Sequence, residues 1–538
     1  MDQTIQRVAR LNEIGISLSA ERDTSVVCEK ILQGAMELTN ADGGSLYRMS
    51  DDQQTLEFVI VANHSLNIHM GGSSGVEIDF YPIQLFIDGK ANTSMVVSCA
   101  VYEDRTINIP DAYHVEGFDF SGTRKFDEKT GYRTQSILTV PMKNHEGEII
   151  GVLQLINAKD EQGITKEFSA EECDLAESLA SQAAVALTNN RLIEEQRELF
   201  ESFIKMIAGA IDEKSPYTGG HCRRLPELTM MIAEACHDSD VGVLNDFSMK
   251  DNDRYELRIA GWLHDCGKVT TPEYVIDKAT KLETIYDRVN TVDTRFEVLK
   301  RDARIEMLEQ KLARMSADVS ADTSDLERIF EEKIKQLDDD RDFIRISNFG
   351  GEFMDDELQQ RVRNIAKYRW LDANNLESNL LDDDEVKNMI IQRGTLNDEE
   401  REIINNHIVM TIKMLAELPF PKHLLNVPEY AGGHHERMDG KGYPLGLTRE
   451  QLSIPARMMG IADIFEALTS SDRPYKKAKK LSECLRILGF MKKDGHVDPD
   501  IFDVFVKEKV YMRYAEEFLP KEQVDEIDES KIPGYEFG

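Results

Sequence analysis

Few stretches restrict a chain as tightly as HHERMDGKGYP, from His434 to Pro444. Adjacent imidazoles are costly to bury without partners, and Gly-Lys-Gly-Tyr-Pro fits neither a helix interior nor a central strand. A rigid loop has to form here beside a pair of histidines. The same half of the chain carries further His and Asp residues next to apolar helical segments. They are His221 in PYTGGHCRR, His264 and Asp265 with Lys268 in GWLHDCGK, His407 in REIINNHIVM, and Asp463 in MGIADIFEAL. One buried histidine is usually a satisfied core residue; five of them, two adjacent, ask for another explanation. His264 and Asp265 follow a short apolar turn (Ile259, Ala260, Trp262, Leu263), and Asp463 interrupts the apolar run from Met458 to Leu468. Carboxylates among such neighbours need a cation or a donor.

The donor set narrows the chemistry. Imidazoles and carboxylates without thiolates suit first-row metals such as Fe, Mn, Ni or Zn and disfavour Ca and Mg. Five imidazoles and two carboxylates are too many for one ion, so two ions bridged by Asp265 are the economical solution. Such a pair, about 3.5–4 Å apart, activates a water and clamps a phosphoryl oxygen. Lys268 is placed to neutralise the same phosphate, and phosphodiester hydrolysis is the natural reaction. Cys266 lies between the ligands but points elsewhere on a helix, which makes it a packing residue.

At 538 residues the chain is too long for one core and suggests two to four domains. A net charge of −35 argues against a bulk electrostatic grip on nucleic acid or an anionic membrane, while leaving room for a local basic pocket. Seven scattered cysteines without a CxxC pair favour a reducing compartment. No apolar run reaches the ~18–20 residues of a membrane span. These features predict a cytoplasmic protein with no nucleic-acid or membrane partner.

Helical periodicity over residues 11–40 gives way to strand-like runs: SLYRM, LEFVIVA, MVVSCAV, SILTVPM and, after the turn NHEGE, IIGVLQLIN. The expectation is an α+β module, an antiparallel sheet with helices packed on one side. GYRTQSILTVPMKNHEGEIIGVLQLINAK resembles the second half of a GAF domain, a sensor fold. Cyclic-nucleotide-binding members carry Asn-Lys, a spacer, then Phe and an acidic pair. Here Ala158 separates Asn157 from Lys159, and Phe168 precedes Glu171 and Glu172 at altered spacing. A nucleotide, another unknown small ligand, or dimerisation alone all remain open for this domain. Over 172–208, Leu175, Leu179, Gln182, Ala186, Asn189, Ile193, Gln196, Phe200, Phe203 and Ile207 follow a four-three seam, with Val185, Leu192 and Leu199 as a competing stripe. This segment is either a plain bridging helix or a parallel homodimeric signalling helix. A histidine-free stretch at about 283–392 interrupts the helical C-terminal half. Ile285, Val289, Val292, Phe296 and Leu299 continue the four-three rhythm, and Leu326, Ile329, Ile334 and Leu337 mark a second helix of a hairpin. It reads as a structural or dimer-stabilising insertion.

The set HDCGK, HHERMDGKGYPLGL, IPARMMGIADIFEALTSSDRPYKKA and DGHVDPDIFDVF resembles the HD-GYP family, all-helical phosphohydrolases of cyclic di-GMP. The match covers about 213–282 and 393–510. The resemblance implies one metal held by His221, His264, Asp265 and Asp463, and a second by Asp265, His407, His434 and His435. These would be two divalent first-row transition metal ions, Fe, Mn or Ni. It further implies that Lys268 contacts the scissile phosphate, that Gly442 and Tyr443 shape the guanine-nucleotide pocket, and that Arg473 and Lys476 grip phosphates. Tyr217 stands where some members have a third-metal carboxylate; Ser215 and Glu466 stand where Asp is common. The implied organisation is a GAF domain at 1–171, a linker helix at 172–212, and an HD-GYP domain at 213–538 interrupted by the insertion. The implied activity converts cyclic di-GMP to pGpG, with further cleavage to GMP as an extension. Alternatives are cyclic GMP-AMP as substrate, or a non-catalytic scaffold responsive to cyclic di-GMP.

Overall fold

The computed structural model describes residues 2–214, 220–240, 242–351, 353–372, 374–470 and 479–536. Contacts divide it into two compact units, Met1–Phe200 and Glu201–Gly538.

The first unit opens with α1 (Asp2–Ala20) and α2 (Thr24–Thr39). Asp23 caps α2 by accepting from the backbone N–H groups of Ser25 and Val26, and Asn40 ends it in the left-handed conformation. An antiparallel sheet follows, in the spatial order Ile68–Gly71, Thr55–Asn63, Ala41–Met49, Ile149–Lys159, Ile137–Lys143, Ile107–Ile109. The NHEGE turn pairs Lys143 with Ile149, and the Asn144 side chain accepts from the N–H groups of Glu146 and Glu148.

Side-chain alternation along Ile149–Lys159 splits the core. Leu153 and Leu155 join α1, α2 and α5 (Ala170–Lys214), while Val152 and Ile156 pack the opposite way, against α3 (Val96–Glu103). Helices therefore cover both faces of the sheet rather than one. The difference arises at MVVSCAV, which forms α3 instead of a strand. Interrupted only by Ser98, its apolar run has no period-two signature, and Val96 to Ala100 are all buried between two clusters, so packing overrides β-propensity. A further helix, α4 (Ser121–Thr130), holds buried Asp127, which accepts from the Tyr113 and Thr134 hydroxyls.

The Asn157-to-Glu172 segment is satisfied internally. Asn157 bonds Tyr132, Arg133 and the Gln135 N–H; Lys159 pairs with buried Asp42; Glu172 pairs with Lys166 and Ser169. On α5, the first part of the expected seam is spent on this core, since Leu175, Leu179 and Ala186 are buried with the sheet. Val185, Leu192, Ile193, Leu199, Phe203 and Ile207 stay exposed.

The second unit is helical apart from a two-stranded antiparallel pair, Arg369–Leu371 with Glu377–Asn379. It comprises α6 (His221–His237), α7 (Asp251–Leu263), α8 (Glu273–Ile276), α9 (Val289–Ala317), α10 (Ser324–Asn348), α11 (Asp356–Ala366), α12 (Asp383–Met389), α13 (Asp398–Ala416), α14 (Val427–Gly432), α15 (Ile454–Thr469), α16 (Leu481–Lys493), α17 (Pro499–Lys507) and α18 (Val510–Phe518). Phe465 of α15 packs edge-on against Phe505 and Tyr514, joining α15 to α17 and α18.

Residues between α8 and α13 own a separate core that includes Val292, Phe296, Leu337, Ile344, Val362 and Leu380. Helices α9 and α10 are antiparallel. Ion pairs Asp293–Arg345, Lys300–Asp338, Glu306–Lys333, Lys311–Glu327 and Arg314–Asp325 advance along one helix as they recede along the other. Ile285 leaves the expected rhythm: it precedes α9 and is almost fully exposed, because the helix starts only at Val289.

The base of this hairpin is clamped where the chain enters and leaves it. Buried Lys278 bonds Asn388 and Glu400, and buried Lys281 donates to the carbonyls of Met389 and Ile391 at 3.0 and 2.8 Å. No carboxylate faces Lys281 among these bonds, and burial pushes its pKa down to about 8. In the unfolded chain the ordinary lysine value is ~10.4. Between those values the unfolded state binds more protons, so this residue's contribution to stability rises with pH. Wild type should gain stability relative to Lys281→Met as pH goes from about 8 to about 10, measured by urea unfolding of both proteins. A constant difference across that range would refute the assignment.

Candidate metal centre

Four helices and two turns deliver the side chains singled out in the sequence to one place. His221 is the first residue of α6, behind Gly220 in the left-handed conformation. His264 ends α7 and Asp265 follows it into the turn Cys266–Thr270. His407 projects from the middle of α13, His434 and His435 follow α14, and Asp463 lies on α15. His221, His264, Asp265, His407 and His434 are buried.

Ligand-type atoms come together in three overlapping groups, each within 4.8 Å. One joins Asp265, His407, His434 and His435; one joins His221, His264 and Asp265; one joins His264, His434 and Asp463. Asp265 is shared. Its Oδ2 lies 3.0 Å from His264 Nε2 and 3.5 Å from His221 Nε2, while Oδ1 lies 3.2 Å from His407 Nε2. Lys268 also pairs with Oδ2. Asp463 stands 3.4 Å from His221 Nε2 and 3.9 Å from His435 Nδ1.

The tautomers are set by the backbone. Nδ1 of His264 and of His434 meets the carbonyl three residues earlier, Gly261 at 2.8 Å and Ala431 at 2.6 Å, and His407 does the same with Ile404. Each ring then donates from Nδ1 and turns a bare Nε2 lone pair inward. His407 Nε2, His434 Nε2 and Asp265 Oδ1 are buried without a hydrogen-bond partner. Three orphaned acceptors in one group are costly in a protein interior unless a cation meets them. The donor set thus fits a divalent metal.

At His434 and His435 the electrostatics point the same way, whereas at His221 burial is outweighed by Glu466 and Asp265, which raise its pKa to about 10. Burial, and then the neighbouring His264, push the His434 pKa down to about 4; burial with His434 and His407 pushes His435 well below its ordinary value. Both are neutral at neutral pH, the form in which an imidazole can bind a metal. Burial opposes ionisation of Asp265, yet His264 and Lys268 outweigh it and hold the carboxyl far below the usual range.

Two packing contacts hold the geometry. Gly267 lies so close to α13 that a Cβ there would stand 1.9 Å from the His407 carbonyl oxygen, and its N–H donates to Thr411 Oγ1 at 2.9 Å. The turn carrying Asp265 is thereby pressed onto the helix carrying His407. In the glycine loop, a Cβ on Gly442 would meet the Glu436 and Arg437 backbone at 2.4 to 2.6 Å. Buried Glu436 accepts the N–H groups of Leu445 and Leu447, and the Tyr443 ring stacks on His435 at 4.8 Å between centroids. Arg473, Lys476, Ser215 and Tyr217 lie outside the described residues.

The role of Glu466, noted in the sequence only as a departure from Asp, is visible only in three dimensions. Glu466 Oε2 meets His221 Nδ1 at 2.5 Å, and Oε1 accepts from Arg224 Nε at 2.8 Å. It lies one turn after Asp463 on α15, so the i, i+3 spacing was the available signal. Burial works against its charge, but His221 and Arg224 bring its pKa down to about 2. An ionised carboxylate behind an imidazole orients the ring and raises its basicity, as it does behind metal-binding histidines.

Comparison with known families assigns both units. Residues 23–187 match the GAF domain family and residues 384–501 match an HD domain family. The chain carries a GAF domain followed by an HD domain. The HD match contains His407, His434, His435 and Asp463, whereas His221, His264 and Asp265 precede it. A cyclic di-GMP phosphodiesterase of Pseudomonas aeruginosa is 40% identical over 114 residues, 21% of this chain and 26% of that protein. A 3'3'-cGAMP-specific phosphodiesterase of Vibrio cholerae is 38% identical over 114 residues, again 21% of this chain and 26% of that protein. The chain thus spans about a quarter of the length of these curated relatives. Among solved structures, a GAF domain/HD domain protein from Geobacter sulfurreducens aligns at 16% identity and TM-score 0.24, over 32% of this chain and 98% of that one. No helix among the described residues is long and apolar enough to cross a membrane.

In the HD domain, Glu466→Gln keeps the volume but removes the charge behind His221. Metal titration of the variant should show affinity lower by about 10–100-fold with an unchanged circular dichroism spectrum. Unaltered affinity would reduce Glu466 to a partner of Arg224.

Proposed function

We propose that the HD domain is a metal-dependent phosphodiesterase that opens cyclic di-GMP to pGpG. The observation that carries this reading is the shared, buried Asp265 carboxylate, with inward-facing imidazole lone pairs on both sides of it. His221, His264, Asp265 and Asp463 would hold one divalent ion, and Asp265, His407, His434 and His435 a second, drawn from Fe, Mn or Ni. When bound, such a pair polarises the phosphoryl group and lowers the pKa of water in the site.

The chain's own groups supply the rest. Lys268, held against Asp265, presents an ammonium to the scissile phosphate as negative charge grows. Tyr443 offers an aromatic face beside His435 on which a nucleobase can stack, and Gly442 lets the loop turn back close enough to present it. The HD-GYP resemblance assigns Arg473 and Lys476, outside the described residues, to the ligand's phosphates. The GAF domain acts as regulator through an unknown small ligand, and the exposed residues of 172–208 support a homodimer.

The name of the Vibrio relative favours one second reading, hydrolysis of 3'3'-cGAMP. A cyclic-di-GMP-responsive scaffold has no need of a full ligand set. Protein loaded with Mn or Fe should linearise cyclic di-GMP, followed by chromatography, and a chelator should stop it. Asp265→Asn or His264→Ala should abolish turnover. Failure of the metal-loaded protein to turn over either dinucleotide would sink the enzyme reading, and the ratio of the two rates identifies the substrate.

A further inference from the structure

The hairpin α9–α10 leaves one face of α9 without a covering element. Its α10-facing side is marked by buried Phe296 and Ala303 and by the cross-helix pairs of Lys300, Lys311 and Arg314. At 100° per residue, Ile305, Leu308, Leu312 and Met315 centre roughly 120° away from that side. They are 53%, 50%, 69% and 40% exposed. Their three-four-three spacing places Ile305 and Leu312 at a, Leu308 and Met315 at d of a heptad seam, ended towards the hairpin base by Arg301 at d. A β-branched residue at a with Leu at d suits a two-stranded parallel pairing.

The flanking charges specify the partner. Arg304 and Lys311 fall at g, and Asp302 and Glu309 at e. In a parallel pair of α9 helices, Arg304 of one copy meets Glu309 of the other, twice by symmetry. In an antiparallel pair, g faces g and e faces e, so like charges meet. Lys311 is engaged with Glu327 across the hairpin. Arg304 and Glu309 make no ion pair among the described residues, so both are free for a second copy. Because α9 is already folded against α10, the contact carries no helix-nucleation cost.

We propose that this face is a homodimer contact in which α9 packs in parallel and in register against α9 of a second copy of the chain. It gives the long insertion a role separate from the metal centre, and it is independent of any pairing through 172–208.

Cysteine cross-linking of the full chain tests it. Leu308→Cys and Leu312→Cys should each form a self-disulfide dimer on mild oxidation, whereas Gln310→Cys, off the seam, and the wild type should not. Arg304→Glu in the Leu312→Cys background should cut cross-linking several-fold, and adding Glu309→Arg should restore it. A disulfide that forms only between mixed Leu308→Cys and Leu312→Cys chains would mean antiparallel pairing and overturn the proposal. So would cross-linking equal to that of Gln310→Cys, whether the face is bare or covered by a different protein.

Discussion

A carboxylate buried among imidazoles is the constraint around which the helical unit is organised. Asp265 is nearly inaccessible, yet His264 and Lys268 keep it ionised. An interior anion of this kind is tolerable only with cations or strong donors on every side. Lys268 faces the carboxylate directly, and the imidazoles from α6, α7, α13 and the turn after α14 arrive already oriented around the remaining space, where a bound cation would meet them and the carboxylate together. The contact of Gly267 with α13 shows how tightly this is specified: the two backbones approach until no side chain fits between them.

The insertion leaves that arrangement intact because its two ends are tied together at its base. Lys278 and Lys281 bridge from the chain entering the hairpin to residues 388–400 leaving it. One of those partners, Glu400, also accepts the Asn397 N–H in the capping box at the start of α13. Helix α13, which carries His407, therefore begins on a fixed footing, while the distal half of the hairpin remains free to present its outer face.

In the GAF domain the limiting resource is apolar surface. One sheet has two faces to bury, and α3 is recruited to the second. The first turns of α5 go to the sheet, leaving only later positions for an exterior contact.

By itself the sequence singled out the candidate ligands and most of the elements. His221, His264, Asp265, His407, His434, His435 and Asp463 stand out because imidazoles and carboxylates beside apolar helical runs demand compensation, a property of local chemistry. The strands around NHEGE were equally legible from alternation and turn residues. Local patterns state that a face is apolar, but not what will cover it. MVVSCAV became a helix, Leu175 and Leu179 served a core instead of a coil seam, and Ile285 fell outside its helix, because tertiary neighbours set those outcomes. Only the folded chain decided that Glu466 reaches His221 from 245 residues away, and that the lone pairs of three imidazoles turn inward together. Such convergence depends on how helices pack, and packing is a sum over contacts that no local window contains.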